Sequence, residues 1–76
     1  MKLKNVKIGM KVQVKENANL IDNWYSSSTC HIGEVIRIDT TDNNCPVLVQ
    51  FEDGYQEWGG NKGLRKIKVN SLKESL

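Results

Sequence analysis

Soft metal ligands are scarce in this chain: one histidine, His31, and two cysteines, Cys30 and Cys45, among 76 residues. A structural zinc site needs four ligands, and no C-x-x-C spacing is present, so no metal is expected. Long apolar runs are missing too. No stretch approaches the roughly 20 residues that span a bilayer. The N-terminal MKLKNVKIGMKV carries lysines without a continuous apolar segment, unlike a secretory signal. The expectation is no membrane partner and a cytoplasmic location. Hydrolase chemistry is equally thin. His31 follows Ser26, Ser27 and Ser28, but there is no nucleophile elbow, and so short a chain has little room for a pocket. No catalytic residue, no cofactor and no enzymatic activity are expected.

What is present fits one small domain. A chain of this size buries only about 60% of its unfolded surface, so its core must be compact. The expectation is a single domain over residues 1–76, with its core in 6–69 and a tail in 70–76. Charge is unevenly spread. Residues 1–15 hold five lysines and no acid, residues 16–58 hold eight acids against Arg37 alone, and residues 59–76 hold five cations against Glu74. Basic ends flank an acidic middle, which points to the kind of partner each part would meet.

The stretch Pro46–Trp58 (PVLVQFEDGYQEW) organises the chain. Val47, Val49 and Phe51 fall on one side of an extended segment, Leu48, Gln50 and Glu52 on the other. Asp53-Gly54 predicts a hairpin with a type I′ turn, which needs positive φ at both central residues. Pro46 cannot donate to a ladder and suits the first position of the strand.

In chain order, residues 1–5 read as a loose lead-in. Val6–Lys15 reads as strand one, with Met10, Val12 and Val14 inward and Lys11, Gln13 and Lys15 outward. Gly9 marks a turn or bend. Glu16–Ile32 lacks a period and reads as a long loop with a short turn around Leu20–Trp24, packed by Leu20, Ile21, Trp24 and Ile32. Gly33–Asp39 is strand two. Val35 and Ile38 are both apolar at an odd offset, and a bulge would bring both inward. Thr40–Cys45 is a polar turn. Gly59-Gly60-Asn61-Lys62-Gly63 predicts a 3₁₀ turn. Leu64–Val69 is strand five, with Ile67 and Val69 inward and Lys66 and Lys68 outward. In the tail, Ser71 and Glu74 have capping-box spacing. Cys30 and Cys45 precede antiparallel strands whose starts lie at opposite ends of the pair, about 20 Å apart. A disulfide needs Cα atoms within about 7 Å, so both thiols are expected free.

Five short strands with a long first loop describe an all-β, partly open barrel. The runs IGMKVQV (8–14), HIGEVIRI (31–38) and PVLVQFEDG (46–54) resemble the SH3-like barrel superfamily, with similarity to KOW-type and Tudor-like modules and to the Mind-bomb/HERC-type domain. The resemblance implies a small five-stranded SH3-like barrel. It also implies a binding surface where aromatics of the first loop meet the strand 3–4 hairpin. Here that set is Trp24, Tyr25, Tyr55 and Trp58, with Glu57 among the acids of the hairpin. Ring faces attract cations and offer large contact area at small entropic cost. The leading expectation is therefore a non-enzymatic module that docks on a larger protein. The alternative is nucleic-acid binding of KOW type. In such barrels the first and last strands lie close, which would align Lys11, Lys15, Lys66 and Lys68 with Lys62 and Arg65 into a phosphate-contacting stripe.

Overall fold

The computed structural model describes residues 1–68; Val69, expected inward, and the Ser71–Glu74 pair lie outside the described residues. Five strands, β1 (Lys11–Val14), β2 (Ile32–Ile38), β3 (Val47–Phe51), β4 (Gln56–Gly59) and β5 (Leu64–Lys66), form one antiparallel sheet in the order β4-β3-β2-β1-β5. The fold is all-β and barrel-like. One face carries a core of Val6, Val12, Val14, Ala18, Trp24, Val35, Val47, Val49, Phe51 and Leu64.

Strand one begins later than its apolar pattern suggests. Lys7–Met10 form a turn, closed by the Met10 N–H on the Lys7 carbonyl (3.1 Å), and Gly9 sits at φ +91°. That conformation suits glycine and ends any strand running through it. The lead-in is not loose. Leu3–Asn5 make a 3₁₀ turn, Val6 is buried, and Met1 and Leu3 pack on the core.

The bulge in β2 is present. The register with β3 shifts between Val35 and Arg37, so Val35 is buried and Ile38 also rests against the core. In the β2–β3 turn, Asp39 accepts hydrogen bonds from Thr41 Oγ1 (2.6 Å) and from the Thr41 N–H (3.0 Å). Those bonds hold its carboxyl below the usual carboxylate range.

The hairpin turn is one residue longer than a type I′ turn. Phe51 N–H donates to the Tyr55 carbonyl (2.8 Å) and Gly54 N–H to the Phe51 carbonyl (2.9 Å), which leaves Glu52, Asp53 and Gly54 as a three-residue loop. Only Gly54, at φ +90°, has a positive φ. This is a type I turn followed by a left-handed glycine. Asp53 secures it by accepting from the Tyr55 N–H (2.9 Å). The consequence reaches the whole of β4. A two-residue loop would set Trp58 opposite Val49. The actual register sets Glu57 opposite Val49 and Trp58 opposite Leu48. One residue of slip exchanges the two faces of a strand. Glu57 therefore faces inward. Trp58 faces outward beside Leu48, which is itself buried although its parity predicts an exposed position.

The first loop holds a one-turn helix, α1 (Ala18–Ile21), and a 3₁₀ turn at Ser26–Ser28. Leu20 and Ile21, expected to pack the loop, are exposed; Ala18 and Trp24 take the interior instead. Asn61–Gly63 form the expected 3₁₀ turn. The glycines around it serve close approach. A Cβ on Gly59 would overlap the Trp24 indole, and one on Gly60 would overlap the Asp22 carboxylate. Asp22 accepts there from the Gly63 N–H (2.5 Å). Gly59→Ala is expected to cost about 1–3 kcal/mol, the usual range for overpacking, measured by urea unfolding. A loss below 0.5 kcal/mol on the order of a surface substitution would contradict this close packing.

Strand β5 pairs with β1: Leu64 opposite Val14, Arg65 opposite Gln13, and Lys66 opposite Val12. Leu64 is the buried residue of this strand. Lys66 shares the side of Leu64, not the outer face where Lys66 and Lys68 were expected to align. Its side chain reaches solvent where the strand ends. Arg65 is the β5 cation on the outer face, beside Gln13 and between the positions of Lys11 and Lys15.

Candidate functional site

The β3–β4 hairpin and the first loop meet along an open groove of about 400 Å³, lined by Ser27, His31, Phe51, Asp53 and Tyr55. A recess of about 170 Å³ beside it takes in Ile32 and Glu52. Phe51 is the hub. Tyr55 stacks on it with ring centroids 6.2 Å apart and planes 16° apart, while His31 meets it edge-on at 6.2 Å. From the core side, the Trp24 indole meets the same ring edge-on at 6.3 Å. The rim is acidic through Glu52 and Asp53, and among the described residues no lysine or arginine lines either recess.

The five residues expected to form a docking surface are divided. Trp24 is only 2% exposed and its Nε1–H donates to the Gly60 carbonyl at 2.9 Å, so it is a core residue and cannot meet a partner. Glu57 is 6% exposed and likewise withdrawn. Its carboxylate accepts from the Tyr25 N–H (2.9 Å) and from Ser28 Oγ. Both donors belong to the first loop, so Glu57 ties that loop to β4. Tyr25 stands in solvent two residues before Ser27. Tyr55, 49% exposed, is in the groove itself. Trp58 is part-exposed on the opposite face of the sheet, beside Leu48, and does not join Tyr55. The groove residues outside the expected docking set are Ser27, His31, Phe51 and Asp53. Asp53 was marked in the sequence only as one of the acids of the hairpin, able to meet a basic protein segment, and Ser27 and His31 only as a weak hydrolase pattern.

Ser27, His31 and Asp53 share the groove, a combination associated with acyl transfer. Among the described residues, no hydrogen bond joins any two of them, and Asp53 Oδ1 is occupied by the Tyr55 N–H. Among the described residues, no group of three potential ligands is placed to hold a metal ion, and no helix is long and apolar enough to cross a membrane.

The cationic stripe is also divided. Lys11 and Lys15 share the outer face with Arg65, as the β1–β5 pairing requires. Lys62 lies in the 3₁₀ turn before β5. Lys66 and Lys68 instead border a second groove with Lys7 and Lys11.

Cys30 and Cys45 are both free thiols. Burial, followed by the nearby Asp42 charge, pushes the Cys45 thiol up. At pH 8 Cys45 should therefore alkylate with iodoacetamide several-fold more slowly than the exposed Cys30, followed by peptide mass spectrometry. Equal rates would contradict its shielding.

These features define a small all-β, barrel-like domain with an open aromatic groove. No protein-family model matches the chain, and no curated protein matches its sequence. Among solved structures it is similar to the NMR structure of the Bacillus subtilis protein YorP, with a TM-score of 0.74 and 17% identity, covering 87% of this chain and 74% of that one. At that identity the likeness establishes the fold.

Proposed function

We propose that this chain is a non-enzymatic SH3-like binding module. It docks on a basic segment of a partner protein through the groove between the first loop and the β3–β4 hairpin. The SH3-like reading is supported by the β2-β1-β5 order and by the 3₁₀ turn that leads into the last strand. The single observation that carries the functional reading is the aromatic wall of His31, Phe51 and Tyr55, rimmed by Glu52 and Asp53. Ring faces attract a lysine or arginine side chain, and the two carboxylates favour the same charge. KOW-type nucleic-acid binding ranks second, since its cations are spread over two faces instead of one stripe.

Tyr55→Ala is the direct test, because a half-exposed side chain can be removed without emptying the core. It should weaken binding of lysine- and arginine-containing peptides at least tenfold, read by fluorescence anisotropy, while Lys66→Glu leaves it unchanged. The reverse pattern would overturn the assignment. A steep fall of affinity for duplex or single-stranded nucleic acid with salt, at affinities above those for the peptides, would promote the second reading.

A further inference from the structure

A second surface stands apart from that groove and has the opposite charge. Lys7, Lys11, Lys66 and Lys68 border a depression of about 450 Å³ whose apolar part is Ile8, Met10 and Ile67. Among the described residues, no acidic side chain lines it. Glu34 lies across from Lys11, but on the β2 side, away from β5. The depression is built by two local events. The turn at Lys7–Met10 lifts Ile8 out of the sheet, leaving it 67% exposed. The Ile67 N–H then donates to the Lys11 carbonyl (3.0 Å), which holds the chain beyond β5 alongside the start of β1.

We propose that this surface binds an acidic peptide segment of a partner protein that inserts one apolar side chain between Ile8, Met10 and Ile67. Charge complementarity names the partner: the four ammonium groups of Lys7, Lys11, Lys66 and Lys68, with no acid among the described lining residues, select carboxylates. The apolar floor names the anchor. An exposed isoleucine beside a half-buried methionine and isoleucine gains from covering by hydrocarbon, and methionine adapts to varied shapes. Nucleic acid fits less well. Single strands bind where bases stack on aromatic rings, and this surface has none. Its cations are lysines, point charges without the planar fork that arginine offers to phosphate. The proposal does not depend on the aromatic groove, which would recruit a basic segment.

The experiment uses the full chain and a fluorescein-labelled 12-residue peptide with four glutamates around a central leucine. Controls are the same peptide with serine for leucine, a dT12 oligonucleotide, a 12-base-pair duplex, and vesicles of phosphatidylcholine with 30% phosphatidylserine, on the order used to probe surface charge. The leucine peptide should bind, and the serine peptide at least tenfold more weakly. Ile8→Ser should lower affinity at least tenfold, and so should Lys7→Glu with Lys68→Glu. All these side chains are exposed or at a rim, and circular dichroism would register any loss of fold. Tyr55→Ala should change nothing here, which separates this surface from the aromatic groove. Equal binding of the leucine and serine peptides would overturn the proposal, as would indifference to Ile8→Ser. Tighter binding of either nucleic acid or of the vesicles would reassign the surface. Concentration-dependent sedimentation abolished by Ile8→Ser would assign it to a second copy of the chain.

Discussion

Trp24→Ala is expected to leave little or no cooperatively folded protein at 25 °C. Truncating a buried tryptophan costs about 3–5 kcal/mol, and a domain of this size holds only about 4–11 kcal/mol in all. The loss here has several parts. The indole fills the space between the core and the glycine turn that Gly59 and Gly63 leave open. It meets Phe51 edge-on, and its Nε1–H satisfies the Gly60 carbonyl. Removing it opens a cavity and strands a buried acceptor, a further penalty of about 1–3 kcal/mol. The melting temperature should fall by about 20 °C or more, given about 4–8 °C per kcal/mol in small domains. Trp58→Ala, on the outer face, should lower it by only a few degrees. Fluorescence offers an independent check. A Trp58→Phe protein, with Trp24 as its sole indole, should emit at shorter wavelength than a Trp24→Phe protein. Matching spectra and matching melting losses would contradict the burial of Trp24.

The second large effect belongs to Glu57. Its carboxylate is an internal clamp, accepting from the Tyr25 N–H and Ser28 Oγ. Glu57→Ala leaves both donors without their acceptor. Hydrogen bonds to a charged group are worth about 1.5–3 kcal/mol each, so urea unfolding should show a loss of about 3–6 kcal/mol for the two. Glu57→Gln should cost much less. Its amide oxygen can take the Tyr25 N–H, and its amide nitrogen can donate to the Ser28 hydroxyl, which also accepts. Amide exchange at Tyr25 should accelerate at least tenfold in the alanine protein and little in the glutamine protein. If alanine and glutamine behave alike, Glu57 is not the link between loop and sheet.

Much of the fold was legible in the residues because it rests on local rules. Alternation in Val47–Phe51 placed β3, the odd spacing of Val35 and Ile38 called for a bulge, and the glycine cluster at 59–63 marked the 3₁₀ turn. What was not legible rests on single-residue parity or on distant contacts. The dipeptide Asp53-Gly54 serves both a two-residue and a three-residue loop. Choosing between them decides whether Glu57 or Trp58 faces inward. The same kind of slip moved Lys66 off the outer face, because Leu64 and not Ile67 is the deeply buried residue of the last segment. The burial of Trp24 depends on glycines some 35 positions away, which no window of local sequence reports. Leu20 and Ile21 stay exposed for the same reason: the indole already occupies the interior they would have filled.

The candidate site was legible in outline only. The meeting of first loop and hairpin, and Tyr55 within it, followed from the resemblance to small barrels. Its actual wall, His31 and Phe51, needed coordinates. His31 was marked only by the serines at 26–28, and Phe51 looked like core alone, whereas its ring meets Trp24 on the core side and His31 and Tyr55 in the groove.

Whether a partner is gripped between the first loop and the hairpin is tested most directly by titrating ¹⁵N-labelled protein with a lysine-containing peptide and following backbone amide shifts. The largest changes should fall on Ser27, His31, Phe51 and Tyr55, and Tyr55→Ala should abolish them. Shifts concentrated instead at Trp58 and Leu48, or on exposed Leu20 and Ile21, would contradict it.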